Sequence, residues 1–148
     1  MGQQQLLLVI LVTIIVGIAT VVAINTFSSA SDSSNVDAVR QDVITFASSA
    51  QGYYMKPAML GGGGNSFTGI TFAQVAFPAT EFNGTNTVAL NSNGVYAISN
   101  IQDSVFTITA HPVSRISTPV SLTAVADEGN AELVANITPN GVTWTDNE

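Results

Sequence analysis

Two different rhythms of apolar residues divide this chain. From Leu6 to Ile24 every position is Leu, Ile, Val or Ala except Thr13, Gly17 and Thr20, and no charge interrupts the run. About 19 such residues form an α-helix of about 30 Å, the depth of a bilayer's hydrocarbon core. A helix apolar on every side is a membrane span, a signal peptide, or an element buried against copies of itself. The next stretch, SSASDSSN after Phe27, has low helix propensity. Either Ser34 or Asn35 caps a new helix there, or the stretch is a weak turn inside one long helix. Beyond it Val36, Val39, Val43, Phe46, Ala47, Ala50 and Tyr54 recur at steps of three and four, with Asp37, Arg40, Gln41, Ser48 and Gln51 on other faces. This spacing predicts an amphipathic helix of about five turns that packs on a sheet. Its end falls between Gly52 and Pro57, because the proline disfavours helix at Lys56.

The rhythm then changes. Residues 57–69, PAMLGGGGNSFTG, form a glycine-rich reversal from helix to sheet. A phosphate-binding loop needs a preceding strand and a Gly-Lys-Ser or Gly-Lys-Thr end, and this stretch has neither. Short runs of β-branched and aromatic residues predict strands at Ile70–Val75, Thr87–Leu90, Val95–Ile98, Ser104–Ala110, Val120–Val125, Leu133–Ile137 and Val142–Thr145. Asn93-Gly94 and Asn140-Gly141 signal hairpins, because both residues of each pair tolerate positive φ. With no helical pattern between them, the strands make an antiparallel sheet. The expected fold is α+β: an apolar helix (1–27), an amphipathic helix (28–56), a glycine-rich connection (57–69) and a β domain (70–148).

Charge narrows the function. Three cations, Arg40, Lys56 and Arg115, stand against ten carboxylates, a net charge of -7 that excludes nucleic acid as a partner. With no cysteine there is no disulfide, thiolate metal site, cysteine nucleophile or lipid attachment. No catalytic set or cofactor pattern emerges. His111, the only histidine, precedes a proline at a strand end, where a turn or surface position is expected rather than a general base. Asp127, Glu128 and Glu132 lack the alternating acidic loop of a calcium site and read as a solvated loop. Asn83-Gly84-Thr85 and Asn136-Ile137-Thr138 match the glycosylation acceptor pattern, Asn83 in a loop and Asn136 in a strand.

An apolar leader, a helix continuing from it, a glycine-rich connection and a terminal antiparallel sheet, in that order, resemble the type IV pilins and related filament subunits. The resemblance covers the whole architecture. Gly2 before Gln3 resembles the glycine after which a prepilin peptidase cuts, and Gly17 lies where pilin helices loosen in the fibre. The resemblance implies a filament interface of Gln3, Gln4, Gln5, Leu6, Leu7, Leu8, Ile10, Leu11, Ile14, Ile15, Gly17, Ile18, Val21 and Val22. It also implies a membrane location before assembly, an assembly machinery as partner, and sheets on the fibre surface. Three family features are absent: a basic leader, a mid-helix proline, and an early glutamate that pairs with a neighbour's terminal amine. Gln3 to Gln5 stand near the glutamate's position and offer only amide-to-ammonium hydrogen bonds.

The physics of the run points to self-association independently, since each large apolar side chain left in water costs about 1.5–3 kcal/mol. Two other readings remain at this level. One is a single-pass anchored envelope protein whose β domain binds a ligand or partner. The other is a secreted protein, an enzyme included, released by signal cleavage after Ser28-Ser29-Ala30.

Overall fold

The computed structural model describes residues 2–116, 120–122 and 133–145. One helix, α1 (Gly2–Met55), is followed by six strands: β1 (Glu81–Phe82), β2 (Val88–Leu90), β3 (Gly94–Ser99), β4 (Phe106–Pro112), β5 (Leu133–Thr138) and β6 (Gly141–Trp144). All neighbours pair antiparallel in the order β1-β2-β3-β4-β5-β6, a meander. The fold is therefore α+β, a long helix that is apolar in its first half and amphipathic in its second, with a C-terminal antiparallel sheet. The chain divides into two compact units, Met1–Ser34 and Asn35–Glu148.

Of the two alternatives for SSASDSSN, the structure has the unbroken helix. No glycine or proline lies between Gly17 and Gly52, and serine side chains can bond back within the helix, as Ser33 Oγ does to the Ser29 carbonyl at 3.0 Å. Asn35 is not a cap. Its Nδ2 donates to the Asn93 carbonyl at 2.9 Å and its Oδ1 accepts from the Ser114 backbone N–H at 3.0 Å.

Within Asn35–Glu148 the expected helical face is the buried one: Val36, Val39, Val43, Phe46, Ala47 and Ala50. It shares a core with Ala89 of β2, Tyr96 and Ile98 of β3, Phe106, Ile108 and Ala110 of β4, and Leu133, Ala135 and Ile137 of β5. These strand residues alternate along the chain and lie opposite one another across the sheet, as in the pairs Ile98↔Ile108 and Ile108↔Ala135. Aromatic rings run through the core. Tyr54 packs on Phe67 at 4.8 Å, Phe67 on Phe106 at 4.9 Å, Phe106 on Phe46 at 6.0 Å and Phe46 on Phe72 at 4.9 Å, while Phe77 reaches Tyr96 at 5.0 Å.

Ile70–Val75 is not a strand. Gly69 before it and Ala76 after it have positive φ, at 84° and 53°, and the segment folds as turns. Ile70, Phe72 and Phe77 are buried all the same. The backbone is tied at single points, Phe67 N–H to the Asp103 carbonyl and Phe72 N–H to the Asn86 carbonyl, both at 2.9 Å. Its apolar residues plug the core without joining a ladder, so composition suggested a strand that tertiary packing did not form. Residues 120–122 are not strand either, and the rest of Val120–Val125 lies outside the described residues. Conversely, β1 is too short to leave a pattern; a two-residue edge strand limits the unpaired edge that could recruit another sheet.

Both hairpins form where the Asn-Gly pairs predict, by other means. Neither Asn93-Gly94 nor Asn140-Gly141 has positive φ. Thr138 pairs with Gly141, so Pro139-Asn140 is the turn, and proline's fixed negative φ rules out the mirror-image type. In the other turn the Asn91 side chain accepts from the backbone N–H groups of Asn93 at 2.9 Å and Gly94 at 3.0 Å. Gly94 is required for close approach. A Cβ there would stand 2.5 Å from the His111 carbonyl oxygen and 3.2 Å from Val39 Cγ2.

His111 is not at a turn. β4 continues to Pro112, opposite Gly94, and His111 is 1% exposed on the face opposite the core, paired with the buried Val95. The His-Pro pair suggests a strand end, but the missing proline N–H interrupts nothing decisive at the last strand residue.

The glycine-rich connection is a cap for α1. The N–H groups of Gly63, Gly64 and Asn65 donate to the carbonyls of Tyr53, Lys56 and Tyr54 at 2.8, 2.9 and 2.8 Å, answering acceptors that a helix end leaves open. A Cβ on Gly63 would collide with the Ser66 carbonyl, which explains glycine at that point.

One polar node binds α1 to the β2–β3 hairpin. Asp42 Oδ2 accepts from Asn91 Nδ2 at 2.9 Å, Asn93 Nδ2 at 2.9 Å and the Tyr96 hydroxyl at 2.7 Å. Burial, then the hydrogen bond to Asp42 and its charge, hold the Tyr96 hydroxyl well above the ordinary tyrosine range. Above about pH 10 an unfolded chain's tyrosine loses its proton while folded Tyr96 keeps it, so stability falls as pH rises past that point. We expect Asp42→Ala, assayed in detergent by chemical denaturation, to cost about 2–3 kcal/mol at neutral pH, because three donors lose a charged acceptor. Tyr96→Phe should flatten the alkaline loss of stability measured the same way; an unchanged slope would show that Tyr96 does not govern it.

Candidate functional site

The surface that stands out lies in the Met1–Ser34 unit. Fourteen large apolar side chains between Leu6 and Ile24 are each 50–67% exposed. The helix is long and apolar enough to cross a membrane, and its apolar window has none of its residues buried within the chain. Leu6, Leu7, Leu8, Ile10, Leu11, Ile14, Ile15, Ile18, Val21 and Val22 are all among the fourteen. Gln3, Gln4 and Gln5 occupy the first turns of α1 and are exposed, as is Gly2. Here the structure brings the sequence-nominated residues together on one continuous helix.

Polar atoms in this run are satisfied within it. Thr13 Oγ1 donates to the Val9 carbonyl at 2.7 Å, Thr20 to Val16 at 2.8 Å and Thr26 to Val22 at 2.9 Å. An unbonded hydroxyl in hydrocarbon carries a desolvation cost, and the back-bond removes most of it. Gly17 is open, with nothing within 4 Å of where a Cβ would stand. With Thr13 and Thr20 at four- and three-residue spacing, it leaves a shallow place where another helix backbone can come close. Asn25, Thr26, Ser29, Ala30 and Ser33 line a further shallow concavity on the same unit. The chemistry available is burial in lipid or against other apolar helices.

The other nominated positions look structural. Asn83 sits just after β1, as its loop assignment requires, but its side chain shapes the turn. Oδ1 accepts from the N–H groups of Thr87 at 2.9 Å and Val88 at 3.0 Å, and Nδ2 donates to Thr85 Oγ1 at 2.9 Å. Asn136 lies in β5 and accepts from the Thr107 hydroxyl at 2.8 Å. Asp127, Glu128 and Glu132 lie outside the described residues. No group of three or more potential metal ligands occurs among the described residues. Asp42, whose node anchors the helix, escaped sequence reasoning because the amides it meets are about 50 residues away in the chain.

Comparison with protein-family models, curated proteins and solved structures returned no match.

If the run is held in a bilayer, the full-length protein should stay with membranes through alkaline carbonate washing. Val16→Asp, which puts a charge at mid-run, should shift most of it to the soluble or aggregated fraction, given a penalty of about 2.5–3.5 kcal/mol. Equal retention of the two proteins would show that the run is not the anchor.

Proposed function

We propose that this chain is the structural subunit of an extracellular filament of the type IV pilus kind, assembled by bundling the apolar first half of α1. One observation carries the reading: fourteen apolar side chains are exposed on all sides of a helix whose threonine hydroxyls are already bonded, while the Asn35–Glu148 unit closes its own core with the second half of α1. An aqueous monomer with this surface is costly. Lipid satisfies it before assembly, and neighbouring copies satisfy it afterwards. The role is structural rather than catalytic. The order of elements resembles that of pilins, and on that resemblance cleavage falls between Gly2 and Gln3 and the partners are identical subunits and an assembly machinery. A heterologous contact repeated by a screw operation extends without limit.

Electron microscopy of material sheared from cells tests the proposal directly: fibres whose subunit mass matches this chain, with or without Met1-Gly2, are expected. Gly17→Leu should lower fibre yield several-fold while leaving the sheet folded, because a large side chain wedges packed helices apart. Protein that stays entirely in the membrane fraction would replace the filament with a single-pass anchored envelope protein. A native chain beginning near Ser31 would remove both readings.

A further inference from the structure

In the Asn35–Glu148 unit, three of the most exposed apolar side chains gather at the end of α1. Met55, Met59 and Leu60 are 71%, 97% and 67% exposed, in a unit that buries Phe46, Phe67, Phe72, Phe77 and Phe106. They are held in place, since Leu60 N–H bonds the Pro57 carbonyl at 3.0 Å, Gly61 N–H bonds that of Ala58 at 3.0 Å, and the glycine cap closes behind them. Lys56, exposed and the only lysine of the chain, lies between them in sequence. The Arg40 guanidinium stands over the Trp144 ring at 5.5 Å, and Arg115 is half-buried. Among the described residues, the most exposed cation of this acidic chain thus stands three positions from the most exposed methionine.

One lysine on a chain of net charge -7 is a poor match for an anionic lipid surface, which takes a cluster of cations. A second copy of the chain is a better match, because it presents carboxylates. Among the described ones, Asp37, Glu81 and Asp103 are exposed. Asp103 Oδ1 already accepts from Ser66 and Thr68, and Glu81 belongs to the two-residue edge strand. Asp37 shares the outward face of α1 with Gln41 and Ile44, at i, i+4 and i+7, and Ile44 is 47% exposed. We infer that the Met55–Leu60 knob of one copy docks on the Asp37–Ile44 face of α1 in the next, with Met59 and Leu60 against Ile44 and the Lys56 ammonium against the Asp37 carboxylate. Knob and acceptor are different surfaces, so a screw operation that repeats the contact in one direction makes it heterologous and extends it from copy to copy. Its repetition along a fibre rests on the filament reading; the contact itself needs only two copies.

Zero-length carbodiimide coupling of the full-length protein, in membranes and in sheared material, tests this. The reagent joins an ammonium to a carboxylate in contact with it, taking up the water lost. Asp37 and Lys56 are about 28 Å apart along one helix, so an amide between them forms only across copies. Peptide mapping should find Lys56 joined to Asp37. Met59→Asp should cut that product about tenfold by removing the apolar half of the contact and opposing it with charge. The exchanged K56E/D37K protein should regain the bond at the same two positions. Lys56 left uncoupled, or joined only to other carboxylates, overturns the contact. The bond forming in membranes from cells without fibres would defeat the filament reading and leave this contact standing; fibres with Lys56 uncoupled would do the reverse.

Discussion

The constraint that organises this molecule is an apolar surface that its own unit leaves open. The run from Leu6 to Ile24 is apolar around the whole circumference of α1, so no rotation of the helix hides it, and residues 2–34 are all helix. At about 1.5–3 kcal/mol for each large side chain, exposure to water would outweigh the marginal stability typical of a small domain. The surface must therefore be satisfied from outside the chain. Because the three threonine hydroxyls bond back onto the helix, lipid and neighbouring helices are both acceptable surroundings.

The second half of the same helix faces the opposite situation. Its buried stripe is narrow, and it is matched by alternating residues of four successive strands and by aromatic plugs from the irregular stretch before β1. Position is then set by polar groups. Asp42 gathers three donors of the β2–β3 region, Asn35 bridges Asn93 and Ser114, and the glycine cap answers the last carbonyls of α1. Non-directional apolar burial does not choose one register of helix on sheet; hydrogen bonds to a charged acceptor, short and angle-dependent, do. With few charges elsewhere on the chain, Asp42 has little competition as an anchor.

Among the described residues, several groups that could carry chemistry are taken up by the fold. Its histidine is buried, Gly63 and Gly64 close the cap of α1, Gly94 allows close approach, and both sequon asparagines serve turns or cross-strand pairs. Among the described residues, the exposed charges are Asp37, Glu81, Asp103 and Lys56.

The sequence pattern determined the two helical segments, the apolar first half, the six buried residues of the second and five of the six strands, because a 3.6-residue repeat follows from helix geometry and runs of β-branched and aromatic residues favour strands. The same information placed the apolar run at the centre of any functional account. Tertiary structure decided the rest. It turned Ile70–Val75 from a strand into a core plug and carried β4 two residues further to bury His111. Both depend on partners distant in the chain: Asn86 and Asp103 for the plug, Gly94 for His111. A local pattern records what a segment can do in isolation, and only the assembled core decides which of those options is used.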